Sequence, residues 1–476
     1  MHPSAARFVR RLVAQGAVAA AIGGAASAIF AGQGCVDEAA SPSAAPPIVI
    51  GVSLGLTGDL DTFAGPLRDA IRAAEGELNA GGGLLGRPVR FDVMDDRSDE
   101  GEIVRGIAQG FVRDGVAAVI GPIGSQQVVL TQQTYVDGRI VQISPAATST
   151  ELSTMQTVEN RFFFRTTPAD DFQGAAVMLL AQKTPKGLGD GGAPKGDGGQ
   201  PITCKRLAIL HTDNSYGSSM ADLIEASWPK RGAGRAIVMR RALAVELAAS
   251  YAAEAAELIA AKPECAAIVS YEKVAAQLVH DVKLVPGYKA IADNGFFFIG
   301  TDGVYTPGFL ELSREDRADE TSPSTAEGVF GTNPDTQPGT KEYNEFKTIY
   351  RSYFPAQPDA PPFTANTYDA AILLALAIQK AGSATDGVAI RDALREVAVP
   401  PGKPFTPAQV GEALLALRQG QDVDYKGASG NVDFEEDGNV RAGFIVWEAY
   451  RNTKTNKVEY RTVAQFSAEE LMEQIQ

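Results

Sequence analysis

The 476-residue chain carries 43 Lys and Arg against 58 Asp and Glu, a net charge of −15 at neutral pH. That length points to two or three domains with a sizeable interior. A surface this acidic repels phosphate backbones and anionic headgroups, which argues against nucleic acid or an anionic lipid surface as partner.

Residues 1–34 read as an export signal: Arg7, Arg10 and Arg11, a small and apolar stretch from Leu12 to Ala31, then Gly34-Cys35. Those arginines are the only charges in the segment, so the remainder carries −18. A small residue before a lone Cys is similar to a bacterial lipoprotein cleavage site, with Cys35 as the lipidated first residue. The aliphatic residue expected three places before the Cys is missing, Ala26-Ser27-Ala28 offers an ordinary signal-peptidase site, and Arg10-Arg11 leaves a twin-arginine route open. No later stretch is long and apolar enough to span a bilayer, so a lipid would be the only membrane anchor.

After a Ser/Ala/Pro linker (35–47), strand-like runs alternate with amphipathic helical stretches. Strands are expected at Ile48 to Leu54, Val89 to Met94, Ala117 to Ile120 and Ile140 to Ile143, with helices at Pro66 to Asn79, Glu100 to Asp114 and Gln126 to Tyr135. Strands separated by helices of this length build βαβ units and a parallel sheet. The rhythm restarts with a helix at Asp170 to Gln182, then a Gly/Lys/Asp-rich insertion from Lys183 to Gln200 with too little apolar content to pack, expected to be flexible. Strands follow at Arg206 to His211, Arg235 to Arg240, Ala266 to Ser270 and Phe296 to Ile299, with helices at Ser218 to Lys230, Leu247 to Lys262 and Lys273 to Leu284. Four helices between Lys341 and Arg418 and a strand-rich end complete the chain. Two successive βα series predict an α/β fold of two doubly wound lobes.

Two turns stand out. Gly121-Pro-Ile-Gly-Ser125 and Ser144-Pro-Ala-Ala-Thr-Ser149 each follow an apolar run, placing hydroxyls and backbone N–H groups just past the carboxyl end of a strand. Ligands of open α/β sheets bind at that rim. Unsatisfied donors and partial positive charge at a helix N-terminus suit a small carboxylate. Either turn alone is an ordinary strand-to-helix connection; together they favour a binding cleft.

Cys204 and Cys265 each lie just before a strand, at the same edge of one sheet. A disulfide between them and two free buried thiols both remain open. Enzyme chemistry is poorly supported. Of three His, His2 falls in the leader, His280 on a helix beside Asp281, and His211 at a strand end with no Cys or second His nearby in sequence to complete a metal site. No GxSxG elbow or GxxxxGK[ST] loop occurs, and Gly55-Leu-Thr-Gly58 lacks the third Gly of a dinucleotide fingerprint. Asp95-Asp96 reads as a pair of solvated turn carboxylates rather than a metal site. Neither a metal nor a cofactor is expected.

Taken in order, Ile48-Val-Ile-Gly-Val-Ser-Leu-Gly-Leu-Thr-Gly58, Glu77-Leu-Asn-Ala-Gly-Gly-Gly-Leu-Leu-Gly-Arg-Pro88, Asp95-Asp-Arg-Ser-Asp99, Val119-Ile-Gly-Pro122, Ile143-Ser-Pro-Ala-Ala-Thr-Ser149 and Phe163-Phe-Arg-Thr-Thr-Pro168 resemble the leucine/isoleucine/valine-binding-protein family. The similarity continues through Asp213-Asn-Ser-Tyr-Gly217, Ala326-Glu-Gly-Val-Phe-Gly331, Asn366-Thr-Tyr-Asp-Ala370 and Tyr425-Lys-Gly-Ala-Ser-Gly430. These are extracytoplasmic, type I periplasmic solute-binding components of amino-acid ABC importers. The resemblance implies two Rossmann-like lobes, 48–166 plus 331–428 and 167–330 plus 429–465, joined by three crossings near Thr166, Phe330 and Ser429, with ligand between them.

By the same resemblance, Ser125 and Thr148, with Ala146 and Ala147, hold a ligand α-carboxylate on the first lobe. Asp302 meets its ammonium, and Tyr216, Tyr271 and Phe63 line the cleft. Asp302 stands where branched-chain binders often carry Glu, so the acid reaches less far. The implied function is non-enzymatic: capture of a small amino acid, aliphatic or branched-chain, in the periplasm or at the cell surface, and delivery to an inner-membrane ABC permease. A ligand-sensing receptor module for amino acids or amides is the alternative.

Overall fold

The computed structural model describes residues 45–183, 204–357 and 360–475. The export signal, Cys35 and the expected insertion beyond Lys183 lie outside the described residues.

The apolar runs form two sheets. The first contains β1 (Ile48–Leu54), β2 (Val89–Asp95), β3 (Val119–Ile120), β4 (Gln142–Ser144) and β5 (Phe163–Arg165), all parallel, in the order β2-β1-β3-β4-β5. The second takes β6 (Arg206–Thr212), β7 (Ala236–Leu243), β8 (Cys265–Val269), β9 (Phe297–Gly300) and β10 (Phe330–Pro334). After a short parallel pair, β11 (Lys403–Phe405) and β12 (Val423–Tyr425), the terminal strands β13 (Phe444–Arg451) and β14 (Val458–Phe466) join that second sheet antiparallel. Its order is β14-β13-β10-β9-β8-β6-β7. β1, β6 and β8 are buried along almost their whole length because helices cover both faces of a parallel sheet. The fold is therefore α/β with two lobes, as the alternation predicts.

Helix Thr364–Ala381 is buried in all but its last two residues and packs along helix Asp61–Ala80, at the centre of the first lobe. A helix apolar on every side belongs in a core. Helix Asp61–Ala80 begins five residues before Pro66, where the sequence reading starts it; burial of Phe63 and Ala64 outweighs the backbone bond that Pro66 cannot donate. Conversely, the helix expected from Leu247 spans only Ala252–Ala261, leaving Leu247 half exposed.

Arg165 pins the passage between lobes. It is fully buried, and its guanidinium donates to Asn439 Oδ1 (2.6 Å), Ser153 Oγ (2.6 Å) and the carbonyls of Ser149 (2.9 Å) and Ala147 (3.3 Å). Just beyond it, Pro168 pairs with Val440, and Thr166 exchanges hydrogen bonds of 2.8 and 2.6 Å with Asn366. β10 pairs with β9 and β13, so the chain leaves the second sheet after Pro334, not at Phe330. The return passage lies near Gly438 to Val440, where the Gly438 carbonyl accepts from the Arg165 N–H, rather than at Ser429. Strand pairing across the molecule sets these positions, and motif order does not carry that information.

Cys204 and Cys265 form a disulfide with Cα atoms 5.8 Å apart. Parallel pairing of β6 with β8 puts Leu207 opposite Cys265, which brings the two strand ends together.

Candidate functional site

The cleft wall of the first lobe starts at Gly121, where β3 ends. Its φ of +83° turns the chain so closely over β1 that a Cβ would sit 2.2 Å from the Ser53 carbonyl oxygen. This turn delivers Ser125 to the first position of helix Ser125–Gly138, whose N-terminus has no side-chain cap. Its first-turn donors and positive dipole end are thus left for an anion. The second turn folds over the first: Ser125 Oγ accepts the N–H groups of Thr148 (3.2 Å) and Ser149 (3.1 Å). With both lone pairs engaged, that hydroxyl has its proton left to donate.

The amides are therefore less bare than the sequence suggests. Those of Thr148 and Ser149 serve Ser125, and that of Ala147 donates to Ser144 Oγ at 3.1 Å. Ala147 is a correction: its side chain is fully buried against Val128, Leu152 and Phe163, so it supports the turn from behind and does not line the cleft. Only the Ala146 N–H in this turn lacks an acceptor among the described residues.

The second lobe contributes a different surface. Tyr216 and Tyr271 stack at 5.5 Å between ring centroids and 20° between planes. The Tyr216 hydroxyl donates to Asp302 Oδ1 at 2.7 Å, which also accepts the Gly303 N–H at 3.0 Å. Gly303 permits this turn, since a Cβ there would meet the Ser270 carbonyl oxygen at 2.5 Å. Burial raises the Asp302 carboxyl above the ordinary carboxylate range, and the hydrogen bonds from Tyr216 and Gly303 only partly offset it. The Tyr216 hydroxyl is pushed well up, by burial first and by Asp302 and Asp170 next.

A cavity lies between the two walls. Phe63, Ser125, Ala146, Thr148, Tyr216, Tyr271 and Asp302 all line it, and Ala147 does not. Sequence reasoning missed Leu60, Ile123 and Phe363, which also line it. Phe363 stands at φ +63°, a conformation rare for a bulky side chain, with its ring 6.0 Å from that of Phe63. Together Leu60, Phe63, Ile123 and Phe363 give the cavity an apolar, partly aromatic end on the first lobe.

Asp170 was missed as well. It follows the first crossing directly, its N–H bonds the Thr148 carbonyl at 2.8 Å, and its fully buried carboxylate makes no well-formed hydrogen bond. The signal available was an acid in Thr167-Pro-Ala-Asp170, opening a helix whose middle, Gly174 to Ala181, is small or apolar throughout.

Direct contacts between lobes shut the cleft mouth. Lys273 Nζ reaches the Gly58 carbonyl at 2.8 Å and Asp61 at 3.0 Å, the Thr62 hydroxyl bonds Glu272, and Asn214 Nδ2 donates to Glu100 at 2.9 Å. Asp95 and Asp96 are turn-formers. Asp95 accepts from Thr57 and Arg97, whereas Asp96 is buried, not solvated as expected, and bonds Ser53 Oγ at 2.7 Å and the Ser98 N–H at 3.0 Å. Burial lifts the Asp96 carboxyl to about 6. His211 is buried against Thr212 and Arg240, and His280 lies beside Asp281. Among the described residues, no three His, Cys, Asp or Glu are placed to hold a metal ion, and no helix is long and apolar enough to cross a membrane.

A model of the periplasmic binding protein family matches residues 47–414. The chemotactic signal transduction system substrate-binding protein BasB of Halobacterium salinarum is 26% identical, over 82% of this chain and 84% of its own. The Leu/Ile/Val-binding protein BraC3 of Rhizobium johnstonii is 25% identical, over 75% and 85%. Among solved structures, the leucine binding protein LivK of Thermotoga maritima superposes with a TM-score of 0.67 at 18% identity, covering 89% of this chain and 99% of that one.

Proposed function

This chain belongs to the periplasmic binding protein family, and we propose that it captures a small amino acid, aliphatic or branched-chain, and delivers it to an ABC importer. It is an extracytoplasmic solute-binding protein rather than an enzyme. The observation that carries the ligand class is the pairing of unlike walls across one cavity: an uncapped helix N-terminus with the Ser125 and Thr148 hydroxyls on one side, and Asp302 on the other. A carboxylate seats against the first and an ammonium against the second through charge-assisted hydrogen bonds. The apolar end formed by Leu60, Phe63, Ile123 and Phe363 then takes an uncharged side chain. BraC3 and LivK, whose names specify branched-chain amino acids, support this choice.

Ligand settles first on one wall; the other closes by bending at the crossings near Pro168, Pro334 and Val440, and binding energy shifts the population toward the closed form. A permease reads that closed shape. Lipidation at Cys35 would keep the protein at the membrane surface. A second reading, presentation of ligand to a separate sensor, is favoured by the likeness to BasB, whose name places it in chemotactic signalling. A permease and ATPase reading frame beside the gene selects transport over sensing.

The test is thermal denaturation of residues 36–476 against a panel of amino acids and small carboxylates without an amine. A ligand at 100 times its dissociation constant adds about 2.7 kcal/mol and raises the midpoint. Branched-chain amino acids are expected to do so; a response only to acids lacking an amine overturns the reading.

A further inference from the structure

Resting on that reading of the cleft, we propose that the Thr62 hydroxyl and the Glu272 carboxylate form a latch that sets how long a captured ligand stays, acting from outside the cavity. Thr62 lies in the first turn of helix Asp61–Ala80 on the first lobe, and Glu272 is the first residue of helix Glu272–Leu284 on the second. Neither lines the cavity, yet each adjoins a residue that does: Thr62 precedes Phe63, and Glu272 follows Tyr271. The pair therefore joins the lobes immediately beside the ligand without facing it.

Glu272 divides its two oxygens between the lobes. Oε2 accepts the Thr306 hydroxyl of its own lobe, and that hydroxyl is fixed in turn, because its oxygen caps the next helix by accepting the Phe309 N–H at 3.0 Å. The Gly308 backbone backs the same carboxylate oxygen so closely that a Cβ there would come within 2.5 Å of it. Oε1 is left to the first lobe, where it accepts the Thr62 hydroxyl. Thr62 has one proton to give, and its other acceptor, Asp61 Oδ1 at 3.4 Å, is already served by Lys273 at 3.0 Å. Glu272 is 2% exposed, so with the lobes together Thr62 supplies the donor that water would supply with them apart. Lys273 and Asp61 repeat the pairing one residue outward, but both are partly exposed and screened by solvent.

Closure creates this pair. In the open form Glu272 keeps Thr306 and gains water, and Thr62 is hydrated, so removing the Thr62 hydroxyl leaves that form as it was. In the closed form the same change strands a buried carboxylate oxygen, which is costly. Because the cost falls on the closed form alone, it speeds opening and leaves docking on the first wall untouched. Loss of one hydrogen bond to a buried charged group corresponds to about ten- to a hundredfold in the rate of release. Thr62 and Glu272 are positioning residues: they act through the approach of the two walls, and the walls meet the ligand.

The test is a chase. The full mature protein is loaded with the radiolabelled amino acid that stabilises it most, L-leucine on this reading, and diluted into an excess of the unlabelled one to give the dissociation rate. Equilibrium dialysis gives Kd, and the two together give the association rate. Thr62→Val keeps the side chain's shape and removes its hydroxyl. It should release ligand about tenfold faster or more, with an association rate within about twofold of the wild type. Thr62→Ser should restore slow release, and the empty Thr62→Val protein should unfold at the wild-type midpoint; Thr62→Ala takes its place should the valine variant fail to fold. Unchanged release overturns the latch and leaves the amino-acid reading standing. So does faster release that serine fails to rescue, or that comes with a matching loss of stability in the empty protein, since either marks a merely structural role. If the wild type binds no amino acid, the reading of the cleft falls and takes the latch with it.

Discussion

The two lobes face the cavity with opposite chemistry. The first presents a helix N-terminus, hydroxyls and an apolar end; the second presents a buried carboxylate under stacked tyrosines. Neither wall suffices for a zwitterion, because each satisfies one of its charges and leaves the other to water. On the proposed reading, only a ligand carrying both charges gains from bringing the walls together, so that selectivity for amino acids and closure would follow from one arrangement. The lobes also differ in construction: the second is stapled by Cys204–Cys265, whereas the first relies on the packing of helix Thr364–Ala381 along helix Asp61–Ala80.

The largest effect should fall on that difference in construction. The disulfide links residues 61 apart, a loop whose closure is worth about 4 kcal/mol on chain-entropy grounds. The double variant Cys204→Ala, Cys265→Ala should lose stability of that order in chemical denaturation while its ligand affinity stays within about twofold. A matching collapse of affinity would mean that the staple shapes the cleft.

Next comes the charged wall. Asp302→Ala should weaken amino-acid binding by roughly 1.5–3 kcal/mol, and leave a ligand lacking the amine much less affected. Equal losses for both ligands would erase the division of labour between walls. Ser125→Ala should cost about 1.5 kcal/mol of affinity, since it removes the hydroxyl and frees the Thr148 and Ser149 amides it holds. The loss should shrink for a ligand whose carboxylate is amidated. The smallest effect belongs to the rim. Lys273, partly exposed in its pair with Asp61, should contribute under about 1 kcal/mol, so Lys273→Ala lowers affinity only a few-fold, an effect that high salt removes.

Much of this was legible in the amino-acid sequence. The rims of β3 and β4 were readable because small hydroxyl residues after an apolar run have few other uses, and Ser125 and Thr148 do face the cavity. Ala147 was misplaced because adjacent residues in a tight turn point opposite ways, and composition does not say which way. Phe363, Leu60 and Ile123 were invisible for another reason. Each reads as an ordinary core residue, and becomes part of a cavity only when segments some 60 to 300 residues apart converge.

By itself, then, the amino-acid sequence determined what is local or periodic: alternating strands and helices, two lobes, an acidic surface, and the hydroxyl-bearing turns at the strand ends. Tertiary structure alone decided where the chain passes between lobes, which amides remain unengaged, and that Asp170 and Asp302 are both buried. Those outcomes depend on long-range pairing and on removal from water. Burial shifts the balance between charged and neutral forms only after the whole chain has closed around a group.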